Sequence, residues 1–503
     1  MLGKVLNFFD LDKPIQWRAE ILAGLAVAMT MIPESLSFAI LAGFPPLSGL
    51  YAAFIAGLVA ALFGGRPGLI SGGAGATVVT LIALIKTHGL EYAFAAVALA
   101  GVIQIIVGIF KWAKYIRLVP ESVMFGFVNG LAVIIFSAQL QQFFTTDAAS
   151  GQQVLLQGST MITMASLVAL TVAITFFFPK VTKKFPASLA AIIAVFAVVL
   201  VFGIKTRTVG DISPISGTLP PLHIPSVPLT WETFKLILPY SAVVAAVGLT
   251  EGLLTLNLVD EITETKGNGS REALAQGASN MLNGFFTGMG GCPMIAQTLV
   301  NLNAGARSRV AGVVAAITIM AIVLVGAPVI EKIPMAALTG VMMVVSFFTF
   351  NWKSFKILNK MPLQDVVVMI VVTGITIIWH NLALAVLIGI IISALSFAWK
   401  KAIGIQVRTS IDADASKRYA LHGDLFFGSI GDFEKALDIR NDPQRVVLDF
   451  QHSNISDMGA LESLNKMTGK YRTAGKNLVV ENLDAKSRSL LQKAAGMSAV
   501  QVV

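Results

Sequence analysis

The chain contains 503 residues, of which 55% are hydrophobic and only 13% are charged, and its mean hydropathy is +0.77. This composition excludes a soluble globular protein and predicts a helical protein that crosses a membrane many times. Most of the net charge of +9 falls in residues 1–403, which indicates basic cytoplasmic loops and not a nucleic-acid-binding surface. The single cysteine, Cys292, excludes an intramolecular disulfide.

Fourteen apolar segments follow the charged start Met1–Glu20, which we interpret as a cytoplasmic amphipathic lead-in and not as a signal peptide. Turns and loops rich in Gly, Pro or Lys separate the segments. In chain order they are predicted at Ile21–Ala42, Leu47–Phe63, Ser71–Lys86, Tyr92–Phe110, Val119–Phe144, Met161–Phe178, Ala187–Phe202, Phe234–Leu258, Ala273–Phe286, Thr287–Asn301, Val310–Val329, Met335–Phe350, Leu363–Trp379 and Leu382–Trp399.

The positive charges predict an orientation. If the N-terminus is inside and every segment crosses, nineteen Lys and Arg residues lie in inside loops and five lie outside. Because cytoplasmic loops of membrane proteins carry the excess of Lys and Arg, we expect both termini in the cytoplasm.

The tenth segment, Thr287–Asn301, is unusual because three glycines and Pro293 interrupt its first half. From Met294 the pattern becomes helical, so this helix would begin inside the membrane. It would then direct unpaired N–H groups and a partial positive charge into the interior. Such a helix start is tolerated where it lines a polar cavity, and it suits an anion.

An acid-bearing segment followed by a Gly-Gly break occurs twice. Glu34 lies 38 residues before Gly72-Gly73, and Glu251 lies 39 residues before Gly290-Gly291, so the two copies are about 217 residues apart. Because each copy holds seven segments, the second enters the membrane from the opposite side, as in the inverted repeats of secondary transporters. The alternative is a chance pattern in a glycine-rich membrane protein.

Residues 404–503 differ in composition and are predicted to form a cytoplasmic α/β domain after a transmembrane transport domain, residues 1–403. Within this tail, apolar alternation predicts strands and 3.6-residue spacing predicts helices. The predicted strands are Ile405–Ile411, Arg418–Leu421, Arg445–Phe450 and Asn477–Glu481, and the predicted helices are Asp457–Lys470 and Ala485–Ala495. No pairing of nucleophile and base is visible along the chain, so we expect no enzymatic activity and no cofactor, apart from sodium as a coupling ion.

Four pieces of the chain resemble the SulP family of anion transporters, the bacterial relatives of the animal solute-carrier 26 proteins. They are Ile32–Phe38 with Ala42–Tyr51, Ile70–Ala76, Gly288–Thr298, and Val447–Phe450 with Ile455–Leu461, the last being similar to a STAS domain. The resemblance implies a polytopic α-helical membrane protein of seven plus seven inverted repeats, divided into core and gate domains, with a small cytoplasmic α/β STAS domain. It also implies a homodimer in the bacterial inner membrane.

The resemblance places the anion between the starts of the third and tenth helices. The substrate-binding residues that it implies are Phe38, Ala74, Gly75, Ala76, Pro293, Met294, Ile295 and Gln297. Glu251 and Thr255 match the carboxylate and hydroxyl that bind sodium in the bicarbonate-transporting branch, and their spacing of four puts them on one helix face.

Two positions depart from the family pattern. Gln297 stands where many animal members have arginine, so positive charge at the site would come mainly from the helix starts. Glu34 stands where many relatives have glutamine, which adds a second buried acid. We also expect a small thiol reagent to reach Cys292 if this stretch lines the transport pathway.

The favoured function is secondary active transport of a small inorganic anion, of the sulfate or bicarbonate class. A carboxylate inside a span is costly, and beside an anion it needs a proton or a cation, so Glu251 and Glu34 are predicted coupling groups for protons or sodium. A purely structural role is the alternative for each acid. The competing functions are a passive anion channel, a chloride/bicarbonate exchanger, a dicarboxylate transporter, and a sensor whose tail binds a regulatory partner.

Overall fold

The structure is a computed structural model, and it describes residues 15–114, 120–146, 153–182, 186–215, 217–357, 360, 362–379, 382–402, 405–412, 415–493 and 501–502. Most of the predicted lead-in, residues 1–14, lies outside the described residues, as do residues 494 and 495 of the last predicted helix. The chain divides into two compact units, Met1–Gly389 and Ile390–Val503. The division falls within the last apolar helix, and the domain boundary predicted at residue 403 stays a prediction.

The first unit is built of helices, most of which occupy the positions of the predicted segments, and the last of them continues into the second unit. Their bounds are α1 (Trp17–Ala42), α2 (Pro46–Phe63), α3 (Gly75–Val79), α4 (Ile82–His88), α5 (Leu90–Ile109), α6 (Glu121–Leu140), α7 (Gly158–Val181), α8 (Ala187–Val201), α9 (Trp231–Thr263), α10 (Gly269–Phe285), α11 (Ile295–Asn303), α12 (Val310–Glu331), α13 (Met335–Thr349), α14 (Lys353–Ile357), α15 (Leu363–Trp379) and α16 (Leu382–Ala402). Four short strands lie among them: β1 (Ser71–Gly72), β2 (Phe144–Thr146), β3 (Gln153–Leu155) and β4 (Cys292–Pro293).

Among the described residues, eight helices are long and apolar enough to cross a membrane, and three more are apolar but shorter. These helices confirm the prediction of a multi-pass helical membrane protein. The third, ninth and tenth predicted segments are different, because α3, α4 and α11 are short and α10 is polar on one side. These segments build the candidate site described below.

Capping residues decide where α9 and the helix after it begin. Thr230 accepts a hydrogen bond from the N–H of Thr233 and starts α9 one turn earlier than predicted. Helix α9 then continues to Thr263, beyond the predicted end of this segment at Leu258. Asn268 caps α10 in the same way through the N–H of Arg271. The cap at Thr230 and the polar last turn together make α9 about two turns longer than the predicted eighth segment, Phe234–Leu258.

Glycines let α5 and α10 approach each other closely. A Cβ atom on Gly101 of α5 would lie 2.5 Å from the carbonyl oxygen of Gly277, and one on Gly284 of α10 would lie 2.6 Å from the Cβ of Ala98. Both contacts are too short for real side chains, so the packing depends on small residues, as is common between membrane helices. This close packing buries the polar side of α10 inside the unit.

Polar side chains tie the helix ends of the first unit together. Glu20, which is 2% exposed, accepts hydrogen bonds from the N–H groups of Arg307, Ser308 and Ala311 and so joins the start of α1 to the start of α12. Arg66, after α2, lies 3.1 Å from the carboxylate of Asp260 near the end of α9.

The second unit contains a five-stranded mixed sheet with helices. Its elements are β5 (Gln406–Ile411), β6 (Lys417–His422), α17 (Ile430–Ala436), β7 (Arg445–His452), α18 (Met458–Thr473), β8 (Asn477–Glu481), α19 (Ala485–Lys493) and β9 (Gln501–Val502). The strand order is β5-β6-β7-β8-β9, with β5 antiparallel to β6 and the remaining pairs parallel. The α/β fold predicted for the tail is confirmed, whereas its assignment as a STAS domain rests on the sequence resemblance.

A buried carboxylate organises the core of the second unit. Asp442 accepts hydrogen bonds from the hydroxyl groups of Tyr419 and Tyr471 and from the Nζ of Lys417, which lies 2.6 Å away. The hydrogen bond to Asp442 raises the pKa of Lys417, and burial together with Asp442 raises the pKa of Tyr471. The three donors compensate for burying the charge of Asp442.

Candidate functional site

The two sequence breaks meet as a pair of antiparallel strands. Ser71 of β1 lies opposite Pro293 of β4, and Gly72 lies opposite Cys292. A Cβ atom on Gly291 would collide with the carbonyl oxygen of Gly72, so the two backbones lie too close for any larger residue there. The predicted juxtaposition of the two broken segments is therefore present in the fold.

The antiparallel pairing of β1 with β4 is what two copies entering the membrane from opposite sides would give. The repeat itself stays a prediction, and so does the match of Gly72-Gly73 to Gly290-Gly291.

Two helices begin directly beyond the paired strands. Helix α3 starts at Gly75 and has five residues, whereas α11 starts at Ile295 and has nine. Each start presents N–H groups of its first turn, and the longer α11 has the larger aligned dipole. A small anion placed between the two starts would therefore be held by backbone groups.

The predicted lining residues lie at these two helix starts and on α1. The ring of Phe38 lies directly against Gly75, because a Cβ on that glycine would collide with it. Ala74 and Ala76 are 3% and 4% exposed, whereas Ile295 is 43% exposed. Ala74, Gly75 and Ala76 thus form a buried wall beside Phe38, and the α11 side of the site is open at Ile295.

Glu34 reaches the first turn of α11. Its Oε2 atom accepts a hydrogen bond of 2.5 Å from the Nε2 of Gln297, whose side chain is 2% exposed. A carboxylate of α1 and a carboxamide of α11 therefore face each other at the helix start proposed for the anion. Gln297 is the position at which the family resemblance implied an arginine in many animal members.

Glu251 contacts the other end of the same broken segment. Its Oε2 atom accepts a hydrogen bond of 2.9 Å from the thiol of Cys292 in β4. Thr255 is fully buried one turn further along α9, and its hydroxyl donates to the backbone carbonyl of Glu251 at 2.7 Å. The hydroxyl oxygen of Thr255 keeps its lone pairs, so a carboxylate and a hydroxyl oxygen remain as ligands suited to a hard cation.

Cys292 is less accessible than predicted from the sequence. Its side chain is 1% exposed and its thiol is engaged with Glu251. The expectation of direct labelling by a thiol reagent is therefore wrong for this conformation, because the strand pairing buries the position. Labelling of Cys292 by a thiol reagent would instead report separation of β4 from β1.

A cluster of carboxamides behind β4 was missed by the sequence reasoning. Asn280 of α10 accepts a hydrogen bond from the N–H of Gly291 at 2.8 Å and donates to the carbonyl of Gly291 at 3.0 Å and to Gln104 of α5 at 2.9 Å. Gln276 lies one turn earlier on α10 and is 3% exposed. The available signal was the spacing of four between Gln276 and Asn280 in the predicted segment Ala273–Phe286, which puts both carboxamides on one helix face.

Comparison with known proteins identifies the family. A sequence model of the sulfate permease family matches residues 17–372, which is well over half of the chain. The chain belongs to this family. Curated relatives of this transporter include a candidate sulfate transporter of Bacillus subtilis (strain 168), YbaR, which is 39% identical over 493 residues, or 97% of this chain and 100% of the relative. The bicarbonate transporter BicA of a Picosynechococcus species is 28% identical over 523 residues, or 96% of this chain and 89% of the relative.

Solved structures support the same fold. The transmembrane domain of a cyanobacterial bicarbonate transporter BicA matches with a TM-score of 0.62 and 27% identity, covering 75% of this chain and 97% of that one. The murine Solute Carrier 26 family member A9 anion transporter, in the inward-facing state, matches with a TM-score of 0.84 and 17% identity, covering 99% of this chain and 92% of that one. The predicted family is confirmed, and the relatives support anion transport and not an enzymatic reaction.

Proposed function

We propose that this chain is a secondary active transporter that carries a small inorganic anion, of the sulfate or bicarbonate class, by alternating access coupled to protons or sodium. One observation carries the proposal: both predicted coupling acids hydrogen-bond to the broken β4–α11 segment, Glu34 through Gln297 and Glu251 through Cys292. The relatives named as sulfate and bicarbonate transporters favour these two substrate classes.

Electrostatics requires a partner cation. Two like charges about 4 Å apart repel by roughly 4 kcal/mol at an effective dielectric constant of ~20. That repulsion would weaken anion binding by about a thousandfold. A carboxylate next to the site must therefore be protonated or paired with a cation when the anion binds. This requirement couples transport of the anion to transport of the proton or cation.

Glu251 is the stronger candidate for the coupling group. Its carboxylate and the hydroxyl of Thr255 offer oxygen ligands to sodium from one face of α9. Glu34 is paired with a carboxamide and has the chemistry of a proton-binding group. We assign sodium or proton coupling to Glu251 and a second proton site to Glu34.

The decisive experiment measures uptake of labelled sulfate, bicarbonate and fumarate into proteoliposomes, with and without sodium and proton gradients. We expect sulfate or bicarbonate uptake that saturates and is driven by one gradient. Ohmic, non-saturating flux would instead support the passive-channel alternative, and uptake of fumarate alone would support a dicarboxylate transporter.

The variant Glu251→Gln keeps the shape of the side chain and removes its charge. It should abolish gradient-driven uptake while leaving the protein folded. Glu232→Gln is the matched control, because Glu232 lies on the same helix at its exposed first turn. Unchanged gradient-driven uptake by Glu251→Gln would remove this residue from the mechanism.

We further propose a homodimer in a bacterial inner membrane with both termini in the cytoplasm. Protease accessibility of a C-terminal tag in sealed membranes tests the orientation, and mass measurement in detergent tests the dimer. Removing residues 404–503 tests the tail. Retained transport with altered regulation would support a regulatory partner at the second unit.

A further inference from the structure

A large cavity lies between the second half of α9 and the turn after α5. Its volume is about 910 Å³, and it is formed by the second half of α9, the α9–α10 loop, the turn after α5 and Met124 of α6. None of the residues predicted to bind the anion lines it. Its size falls within the ~300–1,000 Å³ of sites that hold drug-sized ligands, so it is much larger than a small inorganic anion requires.

The polar end of the cavity is basic. Lys111 and Lys114 approach from the turn after α5, and Lys266 approaches from the α9–α10 loop. Of the acids that also line it, Asp260 is already engaged by Arg66 and by the N–H of Gly267, while Glu264 is exposed. The start of α10, at Gly269 and Ser270, adds the positive end of a 17-residue helix. The excess of positive charge at this end of the cavity favours a ligand with an anionic group.

The other end of the cavity is apolar. Leu253, Leu254 and Met124 form its wall, and Leu254 is 42% exposed. The rise of 1.5 Å per residue puts Leu253 roughly 10 Å along α9 from Asp260. The cavity therefore extends from a basic rim into an apolar region, and this arrangement suits a ligand with an anionic head and an apolar tail.

Neighbouring side chains indicate that the rim lies at a membrane surface. Phe110 and Trp112 flank Lys111, are 61% and 49% exposed, and stack on each other at 5.2 Å. Exposed aromatic residues beside lysines are typical of the interface between hydrocarbon and water. Basic pockets between membrane helices at this level bind lipid phosphates.

We propose that this cavity binds an anionic phospholipid, with its phosphate held by Lys111, Lys114 and Lys266 and an acyl chain against Leu253 and Leu254. None of the residues predicted to bind the anion lines this cavity, so lipid binding can be measured without transport. A soluble phosphate would use the same lysines but would leave the apolar wall uncovered.

Native mass spectrometry of the full-length protein tests the proposal, with phosphatidylglycerol and phosphatidylcholine as probes. The wild type should retain phosphatidylglycerol preferentially. The triple variant Lys111→Gln, Lys114→Gln, Lys266→Gln should lower its apparent affinity at least about tenfold, since each lysine near an anionic headgroup contributes roughly fivefold. The matched control, Lys205→Gln, Lys235→Gln, Lys332→Gln, makes the same charge change away from the cavity and should bind like wild type.

Two further measurements separate lipid from other anions. Leu254→Glu keeps all three lysines and should also weaken phosphatidylglycerol binding, because it places a charge against the acyl chain. A large excess of inorganic phosphate should not displace the lipid. Equal retention of the two lipids, equal losses in the two triple variants, or displacement by phosphate would each overturn the assignment.

Discussion

Asn280→Ala should both destabilise the first unit and weaken anion binding, because Asn280 holds the strand from which α11 begins. Its fully buried side chain makes two hydrogen bonds to the backbone of Gly291 and one to Gln104. Gly291 lies immediately before β4, so its position sets where the start of α11 points. Asn280 acts here as a positioning residue and does not itself contact the anion site.

The size of the effect follows from these three hydrogen bonds. Alanine leaves the N–H and C=O of Gly291 and the Oε1 of Gln104 without this partner, and each buried polar group left unpaired costs about 1–3 kcal/mol. Partial relaxation of Gln104 recovers some of this energy. We expect Asn280→Ala to lower the free energy of unfolding by about 2–4 kcal/mol in total.

The assay combines thermal unfolding in detergent with uptake measured per folded protein. A shifted β4 should raise the KM for the anion, because the binding geometry is changed, and should also lower the maximal rate, because Glu251 hydrogen-bonds to Cys292 of β4. Asn303→Ala is the matched control, since Asn303 ends the same broken segment but is exposed. If Asn280→Ala melted like the control and kept the wild-type KM, the proposed clamp on Gly291 would be wrong.

Three more substitutions test separate contacts. Gly75→Ala should weaken anion-induced thermal stabilisation without changing charge, because its Cβ would collide with the ring of Phe38; stabilisation equal to wild type would contradict this packing. Gln297→Ala should raise the KM for uptake, since it removes the donor that faces the Glu34 carboxylate, and an unchanged KM would show that this pair lies away from the anion. Asp442→Asn should destabilise the second unit by about 2–4 kcal/mol, because a buried carboxylate with three donors is lost; hydrogen exchange of the full-length protein measures this, and unaltered protection would refute it.

The spans and the helix starts could be predicted because their signals are local. Apolar runs set the membrane helices, and the glycines with Pro293 marked the break before α11. The end of α9 could not be placed from hydropathy, because its last turn, Asp260–Thr263, is polar and is supported by the contact of Asp260 with Arg66. At this helix end a tertiary contact, and not the hydropathy of the sequence, decides where the helix stops.

The missed parts of the site depend on contacts between residues far apart in sequence. Asn280 and Gln104 are 176 residues apart, and nothing in either segment indicates that they meet. The burial of Cys292 likewise depends on β1, which lies in the other half of the chain. The residue types were visible in the sequence, but their pairing required the fold.

The two broken segments differ in their contacts with the predicted coupling acids. Both acids hydrogen-bond to the second broken segment, Glu34 at Gln297 and Glu251 at Cys292. Movement of β4 and α11 would therefore perturb both carboxylates at once, whereas Gly75 of α3 packs against the ring of Phe38 from α1. In the proposed mechanism the second broken segment links the coupling cation to the anion, and Ala74–Ala76 with Phe38 supply the wall against which the anion binds.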